Sequence, residues 1–290
     1  MQIAKLMKHR WEEEPISGIG RGYDGTFAIF FYGCTMRCVY CQNSKISQRR
    51  GEHDKINYTT EELSDEIIKA QSENVASISF ITAALYVDQV AETIKLAKKK
   101  GLTLPVVYNS SGYETVSQIK KLDGLIDIYL PDFKYFDNDL GKRYSGVPNY
   151  ADVAKACIAE MHRQITSIRR GELCEPELRS CNSRVQNRMG ELCEPSLIIR
   201  HLVLPANTEN SKRVIKYLYD TYGDGIYLSI MSQYTPMPHN EDIDKFPELL
   251  RKVTKREYEK VVDYAINLGV KNAYIQEGDV ANESFIPEFR

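Results

Sequence analysis

Apolar runs alternate with amphipathic segments along most of the chain, and this alternation limits the fold more than any other feature. The runs are continuously apolar, which is typical of strands in a parallel sheet that helices cover. They lie at residues 26–33, 77–82, 104–110, 126–132, 197–205, 226–232 and 273–276. Helical patterns separate them and begin at Thr59, Val87, Tyr113, Asn149, Glu209 and Lys255.

This order predicts an α/β fold. Six or seven β/α units in a row favour a partial (β/α)6-type barrel, open on one side, over a doubly wound sheet. We interpret residues 1–25 as an N-terminal extension and residues 26–290 as the barrel. In both architectures ligands bind at the C-terminal ends of the strands, so functional residues are expected there.

One segment breaks the pattern. RRGELCEPEL (169–178) and RMGELCEPSL (188–197) are near-copies, and the region carries Cys174, Cys181 and Cys193. We interpret residues from about 169 to 196 as an insertion before the strand at 197–205. Two hypotheses remain for its cysteines: an auxiliary metal or cluster site, or a loop with incidental thiols.

Composition excludes some classes of function. The formal net charge is −2, from 38 basic and 40 acidic side chains, so the composition does not indicate nucleic-acid binding. The N-terminus lacks the apolar run of a signal peptide, and no stretch is apolar enough to span a membrane. We therefore expect a cytoplasmic protein, in which clustered cysteines indicate metal or redox chemistry before disulfides.

Such a cluster follows the first predicted strand. In GCTMRCVYCQN (33–43), Cys34, Cys38 and Cys41 fall within eight residues. Three thiolates on a tight loop can hold three corners of a [4Fe–4S] cluster and leave one iron open to a small molecule. Two alternatives stay open: a zinc site completed by a distant cysteine, and three buried structural thiols.

CTMRCVYC resembles the CxxxCxxC motif of the radical S-adenosylmethionine (SAM) enzymes, with the aromatic residue that they commonly place before the third cysteine. The chain also resembles activating enzymes of glycyl radical enzymes, such as that of pyruvate formate-lyase, and an uncharacterised branch of that group in particular. Blocks in the same order carry this likeness: WEEEPISG (11–18), FFYGCTMRCVYCQN (30–43), VVYNSSGYETV (106–116), DIYLPDFKY (127–135), IIRHLVLP (198–205) and MSQYTPM (231–237).

The resemblance implies a function. SAM would be the fourth ligand of the [4Fe–4S] cluster, and its reductive cleavage would yield a 5′-deoxyadenosyl radical. The implied substrate is a glycyl radical enzyme or another protein or peptide. A small flavodoxin- or ferredoxin-like protein would donate the electron, because the cluster must reach a low potential.

The resemblance also implies roles for single residues. Cys34, Cys38 and Cys41 would ligate the cluster. Tyr40 would lie near the adenine, with plain packing as the alternative. Asn109, Ser110 and Ser111 would contact the ribose or methionine part of SAM, although turn chemistry also explains the serines.

Three charged residues complete the implied SAM site. Lys134, in an Asp-x-Lys block with Asp132, would approach the SAM carboxylate; a surface ion pair is the alternative. Arg200 lies inside an apolar strand and would be costly to bury without an anion, so SAM contact is its expected role. His201 alternates to the other face and is expected to be a packing residue. Gln233 and Tyr234 would line a substrate channel.

The stretch after the second strand departs from the family. Many radical SAM enzymes have a Gly-Gly-Glu-like sequence there that holds the SAM amino group, whereas this chain reads ITAALYV (81–87). The backbone of Thr82 is the expected substitute. Two further hypotheses therefore stand beside glycyl radical formation: a radical SAM enzyme for another peptide or small molecule, and a cluster-binding electron-transfer or regulatory protein that does not cleave SAM.

Overall fold

The computed structural model describes residues 1–48, 55–170, 185–186, 192–194, 196–237 and 242–276, with the backbone alone at 185–186 and 192–193. A nine-stranded sheet runs through them in the order β11-β10-β9-β6-β5-β4-β2-β1-β3. From β2 to β11 every neighbouring pair is parallel and follows chain order. Sequential winding in one direction is the connectivity of a barrel, and the sheet does not close. The predicted α/β partial barrel is confirmed.

The strands match the seven apolar runs and add four short or polar ones. Their bounds are β1 Gln2–His9, β2 Thr26–Phe31, β3 Ile56–Asn57, β4 Ile78–Ile81, β5 Val106–Ser110, β6 Ile128–Pro131, β7 Val185–Gln186, β8 Leu192–Cys193, β9 Ser196–Leu202, β10 Tyr227–Met231 and β11 Ala273–Ile275.

The helices match the six amphipathic patterns and add three. Their bounds are α1 Glu14–Ser17, α2 Ser44–Ser47, α3 Thr60–Gln71, α4 Val87–Lys99, α5 Val116–Lys120, α6 Asn138–Ser145, α7 Tyr150–Arg169, α8 Thr208–Tyr222 and α9 Lys255–Leu268. Thr59 and Glu62 form the capping box that begins α3, and equivalent boxes begin α5 and α9. Each box satisfies backbone N–H groups that the first helical turn leaves unpaired.

The side chains of β5, β6 and β9 that face the interior of the barrel change from apolar to polar along the strand. Val107, Ile128, Leu130 and Ile198 pack in one buried apolar cluster at the level of the strand starts. Because side chains alternate between the two faces, the next inward positions belong to Asn109, Asp132 and Arg200. The main core lies outside the sheet, between the strands and the helices. The interior therefore has an apolar layer below and a polar layer above.

The N-terminal residues are part of this architecture. β1 pairs antiparallel with β2 and extends the sheet beyond the parallel strands. After β1 the chain turns under the barrel, and Ile16 of α1 is fully buried in the apolar interior cluster. The sequence analysis treated residues 1–25 as an extension; the domain boundary itself stays a prediction.

The predicted insertion falls between α7, which ends at Arg169, and β9, which begins at Ser196. β7 and β8 form a two-stranded antiparallel ladder within it, in which Val185 faces Cys193. Cys174 and Cys181 lie outside the described residues, so the two hypotheses for the insertion's cysteines remain open. Within the part of the chain described above, no helix is long and apolar enough to cross a membrane.

Candidate active site

A cavity of about 410 Å³ lies at the C-terminal ends of the parallel strands. The cysteine loop, the strand ends and the N-terminal segment all contribute to its wall. Apart from Ser110, it is lined by the residues predicted to bind the cluster or SAM: Cys34, Cys38, Cys41, Tyr40, Thr82, Asn109, Ser111, Asp132, Lys134 and Arg200. Their separate roles remain predictions, but parallel strand ends meet at one edge, and this brings the ten residues together.

The cysteine loop leaves β2 and is held against the end of α6. The Arg37 N–H donates to the Ser145 carbonyl over 3.0 Å, and the Val39 N–H donates to the Tyr144 carbonyl over 2.9 Å. Gly33 begins the loop with a φ of +97°, which an L side chain rarely adopts. The shape of the loop therefore depends on a helix that the sequence analysis missed.

The three thiols form no disulfide within the described residues, and each accepts or shares at least one hydrogen bond. The Met36 N–H donates to Cys34 Sγ over 3.4 Å, and Ser145 Oγ donates to Cys38 Sγ over 3.0 Å. Cys41 Sγ shares a hydrogen bond of 3.2 Å with Ser47 Oγ. Burial raises the pKa of Cys34 to about 11 and that of Cys38 to about 12, because a desolvated thiolate is unfavourable. Thiolates at this site therefore require a cationic partner.

The arrangement of the thiols fits a cluster better than a single ion. Across the described residues, no three His, Cys, Asp or Glu side chains converge as the ligands of one metal ion do. A [4Fe–4S] cluster binds each thiolate through a different iron, so its ligands need not converge on one point. Cys157, the other cysteine whose side chain is described, is buried and 3.9 Å from Glu114. The donor set thus fits three corners of a cluster.

Hydrogen-bonded hydroxyl groups connect Tyr40 to Cys38 within the cysteine loop. Tyr40 and Tyr135 share a hydrogen bond of 2.5 Å between their hydroxyl oxygens, and Tyr135 and Ser145 share one of 2.8 Å. Ser145 in turn donates to Cys38. Tyr40 is buried and lines the cavity. This placement allows both a contact with an adenine and a supporting role for the loop.

Asp132 and Lys134 follow β6 and form an ion pair. Burial disfavours the ammonium, but the neighbouring Asp132 carboxylate raises the pKa of Lys134 above its usual range. The Lys134 charge also acts on the thiols of Cys34 and Cys38, while that of Asp132 acts on Arg200. Asp132 bridges to Arg200 between β6 and β9, so this pair lies beside Arg200.

The turn after β5 presents one face to the cavity and the other to a buried carboxyl group. Ser110 Oγ donates to Glu114 over 2.5 Å and accepts the Gly112 N–H over 2.9 Å. Burial raises the pKa of Glu114. Asn109 and Ser111 point the other way, into the cavity. Ser110 was predicted to contact SAM with them; it instead supports the turn that positions its two neighbours.

Ser111 has a feature that indicates a ligand. Its side chain is 6% exposed, and its Oγ has no hydrogen-bond partner within the described residues. A buried hydroxyl group without a partner is unfavourable, so such groups usually hydrogen-bond to water or to a ligand. Because Ser111 lines the cavity, its hydroxyl is a ready contact for a polar ligand there.

Thr82 takes an unusual backbone conformation at the point where the sequence departs from the family. Its φ is +51°, in the left-handed region that β-branched residues avoid. Its N–H donates to the Asn109 carbonyl over 2.9 Å, which ties the end of β4 to β5. Strain of this kind persists where the surrounding structure fixes it, often at functional sites. The sequence shows no glycine here, but the backbone adopts a conformation that favours one.

Arg200 has an anionic partner within the chain. Its guanidinium donates to both oxygens of Glu13, from Nε over 2.8 Å and from Nη2 over 2.5 Å, and also to Glu12. Burial alone would raise the pKa of Glu13, but Arg200 holds it below its usual value. Arg200 was expected to satisfy its charge on SAM. The carboxylates of the N-terminal segment already pair with it, and because Arg200 also lines the cavity, its contact with SAM stays a prediction.

The roles predicted for His201, Gln233 and Tyr234 have different outcomes. His201 is a buried packing residue, as expected: its Nδ1 bonds to the Phe133 carbonyl and its Nε2 to Ser211, and burial lowers its pKa to about 4. Gln233 lines the cavity, and its carbonyl accepts a hydrogen bond from Gln42. Tyr234 is not part of the wall; it is buried and donates to the Leu249 carbonyl.

Sequence reasoning missed the site residues of the N-terminal segment. Trp11, Glu12 and Glu13 all line the cavity. Glu12 accepts hydrogen bonds from Asn109 and Arg200, and the Ser229 hydroxyl donates to Glu13. The sequence does contain an indication of these residues, because an arginine buried in an apolar strand requires a carboxylate partner. WEEEP contains three glutamates that could supply one.

The sequence comparisons agree with this geometry. The profile of the radical SAM superfamily matches residues 28–167. The chain carries a radical SAM domain. It is 29% identical over 243 residues to an uncharacterised protein of Methanocaldococcus jannaschii, covering 82% of this chain and 61% of that protein. It is 26% identical over 129 residues to pyruvate formate-lyase 1-activating enzyme of Escherichia coli, covering 43% and 51%. The matches thus span less than two thirds of these relatives.

The solved structures support the same fold. SuiB of Streptococcus suis, solved with its precursor peptide SuiA, aligns with a TM-score of 0.51 at 12% identity, over 83% of this chain and 46% of SuiB. The SAM-bound form of SuiB aligns with a TM-score of 0.53 at 13% identity, over 85% and 48%. At this identity the likeness shows the fold alone. The predicted resemblance to the radical SAM superfamily and to its activating enzymes is confirmed by the sequence matches.

Proposed function

We propose that this chain is an iron–sulfur enzyme that cleaves SAM reductively and generates a glycyl radical in a partner protein. The observation that carries the proposal is that three cysteine thiols, a buried ammonium and a serine hydroxyl without a partner among the described residues line one cavity of a radical SAM domain. When bound, a [4Fe–4S] cluster supplies the electron that cleaves SAM to methionine and a 5′-deoxyadenosyl radical.

Different residues of the chain would bind the cluster and the parts of SAM. Cys34, Cys38 and Cys41 would hold three irons of the cluster, as their CxxxCxxC spacing implies. Lys134 stays protonated beside Asp132 and would offer its ammonium to a carboxylate such as that of the methionine part of SAM. The hydroxyl of Ser111 and the side-chain amide of Asn109 would contact the polar atoms of the nucleoside.

A protein or peptide substrate is favoured by two likenesses. The Escherichia coli relative is an activating enzyme for pyruvate formate-lyase, and SuiB shares this fold and is solved with a peptide. The exposed Thr35 and Arg37 show that part of the cysteine loop reaches the surface. A small flavodoxin- or ferredoxin-like donor could deliver an electron there.

Reconstitution tests the proposal directly. Protein reconstituted anaerobically with iron and sulfide, then reduced in the presence of SAM, should bind about four irons and release 5′-deoxyadenosine. Cys38→Ala should lose cluster and product, whereas Cys157→Ala, which removes a buried cysteine outside the cavity, should retain both. A stable cluster in wild-type protein with no SAM cleavage would overturn the enzymatic proposal and favour an electron-transfer or regulatory role.

The glycyl radical part needs its own readout. The protein should transfer deuterium from a labelled glycine of its partner into 5′-deoxyadenosine, and the partner should show a glycyl radical in its electron paramagnetic resonance spectrum. If deuterium is transferred only from other peptides or small molecules, the proposed glycyl radical partner is wrong, but the proposed cleavage of SAM still stands.

A further inference from the structure

The N-terminal segment builds a charged floor for the cavity. We use the term acidic floor for Glu12, Glu13 and Arg200, together with Asn109 and Ser229, which hydrogen-bond to the two carboxylates. The side chains of Glu12, Glu13 and Arg200 are only 2%, 7% and 14% exposed. The acidic floor rests on the apolar interior layer that contains Ile16. These charges are therefore held in a largely dry environment.

The charges that line the cavity do not balance. Among the described residues of the wall, three carboxylates, those of Glu12, Glu13 and Asp132, face two cations, Lys134 and Arg200. His9 also lines the wall, but burial lowers its pKa, so it adds no charge at neutral pH. One negative charge is left over in the absence of a ligand.

Glu12 carries that surplus charge. Arg200 pairs with both oxygens of Glu13, which is the strongest geometry for such a pair, and Asp132 pairs with Lys134. Glu12 shares one nitrogen of Arg200 and receives a neutral amide hydrogen bond from Asn109 over 3.1 Å. A buried carboxylate without a full counter-charge is unfavourable, and a bound cation would relieve it.

Two further observations indicate a ligand here. Ser111, two residues after Asn109 on the same face, keeps its buried hydroxyl unpartnered within the described residues and lines the same wall. Trp11 stands beside Glu12 in the chain, lines the cavity and is 51% exposed. An indole and a carboxylate in one cavity wall are groups that bind ammonium and guanidinium ions.

We propose that the acidic floor, with Trp11, is a subsite for a positively charged group of the substrate, an ammonium or a guanidinium. Asp132 bridges to Arg200 between β6 and β9, so the Asp132–Lys134 pair lies beside the floor. The inference rests on the proposed function for the reaction, and it narrows the substrate to a lysine- or arginine-containing peptide or a small organic cation.

The single tryptophan makes the subsite directly measurable. Trp11 is the only tryptophan of the chain, so its fluorescence, excited at the red edge to avoid the 19 tyrosines, reports on this wall alone. n-Butylguanidinium should change the emission saturably and bind about tenfold more tightly than neutral n-butylurea of matched shape. The comparison uses wild-type protein without a reductant, so its result does not depend on whether the protein cleaves SAM.

Neighbouring glutamates provide matched variants. Glu12→Gln should abolish the preference for the charged probe, whereas Glu14→Gln should keep it, because Glu14 is outside the cavity wall and pairs with Arg21. Equal affinity for the two wild-type probes, or an undiminished preference in Glu12→Gln, would overturn the proposal. Displacement of n-butylguanidinium by SAM from the reconstituted protein would assign the subsite to SAM, against the proposal; simultaneous binding would support a substrate cation.

Discussion

The cysteine loop and the acidic floor belong to the same cavity, yet the chain encodes them in different ways. Cys34, Cys38 and Cys41 fall within eight residues, and their spacing alone indicates the chemistry. Arg200 instead meets Glu12 and Glu13 across 188 and 187 positions of the chain. The loop carries function that local sequence reveals, whereas the floor exists only after folding brings distant residues together. The floor should accordingly contribute to stability, and the loop mainly to activity.

Arg200→Met should produce the largest loss of stability. It leaves the buried carboxylates of Glu12 and Glu13 without their cation, and breaking a buried pair in this way costs about 3–5 kcal/mol. Urea denaturation followed by circular dichroism measures the free energy of unfolding. Cys41→Ala, the counterpart in the cysteine loop, should cost about 1 kcal/mol in cluster-free protein because it removes one small group.

The exposed pair of Lys216 and Asp220 provides a second reference. Lys216→Ala should leave the free energy of unfolding close to the wild-type value, since a solvated pair four residues apart in a helix contributes little. A loss for Arg200→Met no greater than that of Cys41→Ala would remove the contrast between floor and loop.

Gly112→Ala should be the next most harmful change. Gly112 has a φ of +73°, and a Cβ there would lie 2.3 Å from the Asp132 carbonyl, between the turn after β5 and the end of β6. Adverse φ and steric overlap together should cost about 3 kcal/mol. Gly124 has the same φ but open space around its Cα, so Gly124→Ala should cost only about 1 kcal/mol. Equal losses in thermal or urea unfolding would show that the overlap is relieved elsewhere.

Most of the barrel could be predicted from sequence because its strands and helices are coded by local periodicity. The seven apolar runs became parallel strands, and the spacing of Thr59 and Glu62 correctly marked the start of α3. β1 was missed because QIAKLMKH mixes apolar residues and lysines without a clear period, and its strand form depends on pairing with β2. α6 was missed because NDLGKRYS is short and mostly polar.

The site was predictable to the extent that its residues follow strand ends. Asp132 and Ser111 come directly after buried strands, so their convergence is a consequence of topology. The partners of Arg200 were not predictable in this way, since no local pattern links position 200 to positions 12 and 13. The positive φ of Thr82 also has no sequence signal, because threonine is among the residues least expected there.

Glu13→Gln should reveal the acidic floor through pH. Arg200 lowers the pKa of Glu13 in the folded protein from its ordinary value of 4.5, so the ionised form stabilises the fold above that pH. This stabilisation is lost as the pH falls through the folded pKa. Glu13→Gln should therefore cost about 2 kcal/mol at neutral pH, and the difference from wild type should shrink in acid.

Glu14→Gln is the matched control for that experiment, because Glu14 is half exposed and lies outside the cavity wall. Its free energy of unfolding should track the wild-type curve at every pH within about 0.5 kcal/mol. A constant difference between Glu13→Gln and wild type from neutral to acid pH would mean that Glu13 acts through packing and not through its charge.

Thr82→Gly should give the smallest effect and the opposite sign. Threonine pays a steric penalty at a φ of +51°, which glycine avoids, and the gain is partly offset by the greater freedom of glycine when unfolded. The net result should be a stabilisation of about 1 kcal/mol or less. Asn74 has a φ of +52° but is a residue type that tolerates it, so Asn74→Gly should change little. A gain confined to Thr82 would locate stored strain on the cavity wall between the loop and the floor, and a loss would show that its side chain supports the site.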